Sequence, residues 1–183
     1  SIDNFHFIEK MKILEIGAGS GRLTECILST KKISNYTICD IPPSIFINYK
    51  RLKLAFPEKK IKLLIDVNDP NELDNEINKN DISFIFPHQI KKINKKLFDL
   101  TIAVNCLHEM NKSTLNFYFK NISNISRKFY FSIWKKTKNW YSGNLFKKTE
   151  RLDFEGNDYQ IPTNWIIKKK SELKFPSSQI GIG

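Results

Sequence analysis

Met11-Lys12-Ile13-Leu14-Glu15-Ile16-Gly17-Ala18-Gly19-Ser20-Gly21 is the stretch on which the fold turns. An apolar run stops at Gly17, glycine then recurs at every second position, and from Gly21 to Thr30 the residues Leu23, Cys26 and Ile27 share one helical face. The pattern predicts strand, glycine turn, helix. Glycine at such a corner lets the backbone turn sharply and approach a ligand with no Cβ in the way. The same run also suits a turn that binds nothing, so a second feature has to decide.

Working outward, Tyr36 to Asp40 predicts a second strand. Pro42 and Pro43 then suit the first turn of a helix in which Ile45, Tyr49, Leu52 and Phe56 recur at helical spacing. Ile61 to Ile65 and Ile82 to Phe86 both read as strands, of which one suffices as the third of the sheet, with a polar, Asn-rich segment from Asn68 to Asn80 between them. Phe98 to Val104, a helix carrying Leu115, Tyr118, Phe119, Ile122 and Ile125, and a strand from Phe129 to Trp134 complete the alternation. A last strand near Trp165 to Lys168 is expected to close the edge in the antiparallel sense. This is the pattern of one α/β domain with a parallel sheet covered by helices.

Composition bounds the rest. The chain has 183 residues, 40% hydrophobic and 27% charged, which fits one folded globular domain. No apolar stretch approaches the ~18 residues of a membrane span, and no export leader opens the sequence. Cys26, Cys39 and Cys106 are odd in number and unrelated in spacing, which points away from a disulfide framework or a zinc site and toward the cytoplasm. Thirty Lys plus Arg against 19 Asp plus Glu give a net charge of +11, which would favour a nucleic-acid partner. Only Arg22, Arg51, Arg127 and Arg151 are guanidinium donors, however, and bidentate phosphate or base readout favours Arg over Lys. A solvated Lys-rich surface is the preferred reading, with nucleic acid the lesser one.

The turn is GxGxG rather than the GxGxxG of dinucleotide sites, because Arg22 stands where the third spaced glycine belongs. About 20 residues further on, Asp40 ends the second strand, where a carboxylate can accept the hydroxyls of a ribose. It could equally cap the helix behind Pro42. On the fourth long strand's exit stand Asn105, His108 and Glu109. A neutral imidazole there suits removal of a hydroxyl proton, so His108 is the candidate base. Glu109 could orient that ring, bind an acceptor hydroxyl, or favour the start of the helix near Asn111. His88, after the Ile82 to Phe86 strand, is another rim candidate and His6 a candidate on a segment preceding the first strand, each with a structural alternative, and Trp134, Trp140 and Tyr141 could stack on a sugar or pack a loop. Asp66, Asp69, His108 and Glu109 do not have the spacing of a metal site, and none is expected.

Ile13 to Gly21 together with Asp40 resembles the class I S-adenosylmethionine-dependent methyltransferases. The resemblance implies their Rossmann-like fold, a mostly parallel seven-stranded sheet with helices on both faces and a reversed last strand. It implies S-adenosylmethionine as cofactor, with Gly17, Ala18, Gly19, Ser20 and Gly21 beneath its methionine and ribose portion. Glu15 would orient the turn and the amino group, Asp40 would hold the ribose, Ile41 would flank the adenine, and Asn105 would lie at the rim near the methyl. More narrowly, Asp40-Ile41-Pro42-Pro43, Phe98-Asp99-Leu100, Asn105 with His108-Glu109-Met110, and Tyr159-Gln160-Ile161-Pro162 before Trp165 resemble a family of sugar O-methyltransferases from bacterial surface-polysaccharide gene clusters. That implies a sugar or nucleotide-sugar acceptor; His108 and Glu109 remain the candidate catalytic residues on their position and chemistry. Such families carry more sequence before the first motif, so residues 1–183 are expected to be a single methyltransferase domain lacking an N-terminal segment. The alternatives are a methyltransferase of RNA or DNA and a noncatalytic cofactor-binding module. Against the first, Asn105-Cys106-Leu107-His108 stands where many base methyltransferases carry Asn-Pro-Pro-aromatic.

Overall fold

The computed structural model describes residues 10–30, 33–132, 159, 161–163 and 165–168. Within them the chain runs β1 (Met11–Ile16), α1 (Arg22–Thr30), β2 (Ile33–Cys39), α2 (Ser44–Ala55), β3 (Ile61–Leu63), α3 (Pro70–Lys79), β4 (Ile82–Ile85), β5 (Phe98–Val104), α4 (Lys112–Ile125) and β6 (Ser126–Ser132). Short 3-10 turns at Pro87–Lys92 and Leu107–Glu109 follow β4 and β5. The strands form one sheet in the order β3-β4-β2-β1-β5-β6, and every pairing is parallel.

Alternation along the central strands sorts side chains between two cores. Met11 and Ile13 of β1 join Tyr36, Ile38, Ile27 of α1 and Ile45 and Leu52 of α2. Leu14 and Ile16, on the opposite face, join Leu73 and Ile77 of α3 and Leu115, Phe119 and Ile122 of α4. Helices therefore cover both faces, as a parallel sheet buried on both sides requires.

The α/β reading holds, with four corrections. Both Ile61–Leu63 and Ile82–Ile85 are strands, β3 lying outside β4 at the edge. The polar stretch between them contains α3, started by Asp69, whose carboxylate accepts from the Glu72 N–H at 2.8 Å, and by Pro70 in the first turn. Leu73 and Ile77, four apart, are its buried apolar residues, with Asp74 buried beside them. The reversed strand expected at Trp165 to Lys168 is not there: these residues are not extended into the sheet, Ile166 and Ile167 are exposed, and Trp165 packs edge-on against Phe129 of β6. Six strands, all parallel, are present among the described residues in place of the expected seven. In α1 the buried positions are Thr24 and Ile27, while Cys26 is exposed. His6, Trp134, Trp140, Tyr141 and Gln160 lie outside the described residues.

Candidate functional site

Because the strands run one way, their carboxyl ends make a single rim. The chain leaves β1 for α1 on one face and leaves β5 for α4 on the other, so the sheet's topological switch lies between β1 and β5. Open α/β sheets bind their ligands outside the strand ends at this point. The glycine turn, Asp40 and the Asn105–Met110 segment all sit on that rim.

Gly17, Gly19 and Gly21 have φ of +66, +55 and +74°, the left-handed region that side chains rarely occupy. Their surroundings differ. A Cβ on Gly17 would lie 2.6 Å from the Cβ of Cys106, and one on Gly21 would overlap the amide oxygen of Asn48. A Cβ on Gly19 would meet nothing within 4 Å. Two of the three glycines are thus required by the protein's own packing, whereas the third borders open space.

Asp40 follows the last residue of β2 and is only 8% exposed. One carboxylate oxygen accepts the Gly19 N–H at 3.0 Å and the other the Ile41 N–H at 2.7 Å. Burial pushes the Asp40 carboxyl above its usual range, and these two N–H donors oppose the rise. A carboxylate oxygen can accept more than one hydrogen bond, so capacity for ligand hydroxyls remains. The side chain of Ile41, beside it, is exposed.

Glu15 faces inward. It lies on the α1 and α2 side of β1, almost wholly buried, with Oε2 accepting from Thr24 Oγ1 at 2.5 Å and from Tyr36 Oη at 2.7 Å. Burial raises its pKa, and the two hydroxyls work against that. Through Thr24 this carboxylate ties the first turn of α1 to β1 and β2, so its contact with the turn is made from beneath.

Two residues of α2, which the sequence reading did not single out, hold the turn from the side. Asn48 Nδ2 donates to the Gly19 carbonyl at 2.7 Å, and Arg51 Nη1 donates to the Ser20 carbonyl at 2.8 Å while pairing with Glu25 of α1. Asn48 is fully buried, and its position between Ile45 and Leu52 on the inward stripe was the available signal. Such a polar residue at a core position calls for a partner.

At the β5 exit, Asn105 adopts φ +53°, which Asn tolerates better than other side chains. Its N–H donates to the Ser132 carbonyl at 3.0 Å, and its Oδ1 accepts from Ser132 Oγ at 3.2 Å, fastening the ends of β5 and β6. Cys106 Sγ donates to the Ile16 carbonyl at 3.2 Å and fills the space beneath Gly17. Burial, reinforced by the nearby Asp40, Glu109 and Glu15 charges, pushes that thiol up to about 12, so it is not a nucleophile at neutral pH. His108 is half-buried on the 3-10 turn. Its pKa is lowered by burial and partly restored by Glu109, which is exposed, so the ring is neutral at pH 7. Exposed His88 lies by Phe86 at the end of β4. Among the described residues no three His, Cys, Asp or Glu side chains gather as a metal site, and no helix is long and apolar enough to cross a membrane.

No protein-family model matches the chain, and no curated protein is similar to it in sequence. Its similarity is to solved structures. A chain of the complex between the Haloferax volcanii Trm112 methyltransferase activator and a proposed methyltransferase matches with a TM-score of 0.49 and 14% identity, covering 72% of this chain and 49% of that one. A proposed S-adenosyl-L-methionine-dependent methyltransferase of Methanococcus maripaludis matches with a TM-score of 0.47 and 20% identity, covering 72% and 51%. A cyclase matches with a TM-score of 0.47 and 12% identity, covering 68% and 38%. The chain spans about half the length of the first two.

Proposed function

We propose that residues 1–183 form a single S-adenosylmethionine-binding domain that methylates a hydroxyl of a sugar or nucleotide-sugar precursor of a polysaccharide, in the cytoplasm. The observation that carries the cofactor half is Gly19: its left-handed backbone is held by Asp40 on one side and by Asn48 on the other, yet its Cβ direction opens onto free space. The residues fit an adenosyl group. Asp40 has lone pairs left for ribose hydroxyls, exposed Ile41 offers an apolar surface beside it for adenine, and the backbone of Gly17, Ala18, Ser20 and Gly21 completes the floor.

When bound, S-adenosylmethionine supplies an electrophilic methyl on a sulfonium, which an alcohol oxygen can take up as its own proton departs. The protein's part is to position and to accept that proton. The neutral His108 imidazole is the acceptor for it, with the Glu109 carboxylate stabilising the imidazolium that results. Asn105 holds the neighbouring strand ends in place, and fixed geometry at the rim lowers the entropic barrier of a two-substrate step. The acceptor class rests on the Asp40–Pro43 and His108–Met110 motifs. Incubation with methyl-labelled S-adenosylmethionine and a panel of nucleotide-sugars tests it: label is expected in a sugar hydroxyl. Label entering RNA instead, or cofactor binding without turnover, would overturn the sugar assignment.

A further inference from the structure

The outward face of α2 is apolar where a surface helix is ordinarily polar. Ile45, Asn48 and Leu52 point into the core. Opposite them Phe46, Ile47 and Leu54 are 40, 58 and 84% exposed, and Ile41, just ahead of the helix, is 60% exposed. At 100° per residue, Phe46, Lys50, Lys53, Leu54 and Ile47 fall within one sector of about 120°, with Lys50 in its middle. Single exposed apolar residues are ordinary, but Phe46, Ile47 and Leu54 share one sector of one helix and form a patch.

The charges around the patch identify its partner. Residues 41–60 contain Lys50, Arg51, Lys53, Lys59 and Lys60 against Glu58; with Arg51 paired to Glu25 of α1, four lysines face one glutamate, a net +3. Protein interfaces exclude Lys from their apolar centres, and a two-fold contact of this face with a second copy would bring Lys50 toward like charge. A lipid surface accepts the same arrangement, because Lys stems lie along apolar surface while their ammonium groups reach anionic headgroups. We propose that the outer face of α2 docks the protein on anionic membrane surfaces, with Phe46, Ile47 and Leu54 entering the headgroup boundary and Lys50 and Lys53 pairing with lipid phosphates. The inference is independent of the methyl-transfer reading. It places the rim at Asp40 and Ile41, only a few residues ahead of Phe46, next to the bilayer.

Flotation of the full chain with vesicles tests it. Binding is expected to mixed phosphatidylglycerol and phosphatidylcholine vesicles, and little to phosphatidylcholine alone. Ile47→Ser with Leu54→Ser removes exposed groups only, leaving the buried face intact, and should lower the partition coefficient at least about tenfold. Lys50→Glu with Lys53→Glu should lower it by about fivefold or more per lysine, with wild-type binding weakening as salt rises. Equal binding to both vesicle types, no binding at all, or undiminished binding by either double variant would overturn the proposal. So would a wild-type dimer that the serine variant makes monomeric, since the face would then belong to a second copy.

Discussion

The two ends of the switch point are built in contrasting ways. Between β1 and α1 the glycine turn is gripped at several points: Asp40 holds an N–H, Asn48 and Arg51 hold carbonyls, and Cys106 and Asn48 fill the space beside two of its glycines. At the β5 exit, Asn105 and Cys106 are fastened to their neighbours, but His108 is only half-buried and Glu109 is exposed. The first region is preorganised to receive one fixed shape. The second presents chemistry toward whatever comes to it.

The comparison can be broken most forcefully at His108. His108→Ala should lower methyl-transfer kcat by about 10²–10⁴-fold while leaving cofactor affinity in place. Because burial lowers the imidazole pKa, wild-type activity should hold as pH falls to the ordinary histidine value and drop only below it, and steady-state pH profiles would reveal a limb that is absent from the variant. Next come the glycines. Gly17→Ala combines a left-handed side chain with a collision against Cys106 and should cost about 2–5 kcal/mol in urea unfolding. Gly19→Ala carries only the backbone cost, about 1–2 kcal/mol, but puts a methyl into the open space, so its larger effect should be on ligand affinity.

Glu15 sharpens the same contrast through pH. Its folded pKa is raised by burial, so the stability it contributes is fully present below the unfolded-state value and is lost as pH rises through the folded one. Glu15→Gln lacks this titration, and the variant should gain on wild type as pH increases, measured by unfolding free energies from acid to neutral pH. The smallest effect belongs to Glu25→Gln. Its ion pair with Arg51 is partly exposed on both sides, and its loss should cost at most about 1 kcal/mol, because Arg51 keeps the Ser20 carbonyl.

What was legible in the sequence follows the same division. Glycine at every second position after an apolar strand announces β1, the turn and α1, and period-2 and helical spacing locate β2, α2, β5 and α4. α3 was hidden because two apolar residues four apart, Leu73 and Ile77, suffice for an edge helix and leave a stretch that reads as polar. The supposed last strand misled because Trp165, Ile166 and Ile167 are apolar without alternation, and two of the three face solvent. Within the site, Asp40 could be placed from its distance to the turn. Asn48 and Cys106 could not, since which polar or small side chain fills the space beside a glycine depends on contacts far apart in sequence, 27 residues in one case and 89 in the other. Glu15 adjoins the turn in sequence, but its inward direction is not legible there, because the partners that draw it inward, Thr24 and Tyr36, lie on other elements.

The central claim is that the bend around Gly19 receives an adenosyl ligand, and calorimetric titration with S-adenosylhomocysteine addresses it most directly. The account predicts saturable one-site binding by wild type, reduced at least about tenfold in Asp40→Asn, whose amide replaces a charged acceptor of the Gly19 N–H. Absence of binding by folded wild-type protein, or equal affinity in the folded variant, would contradict it.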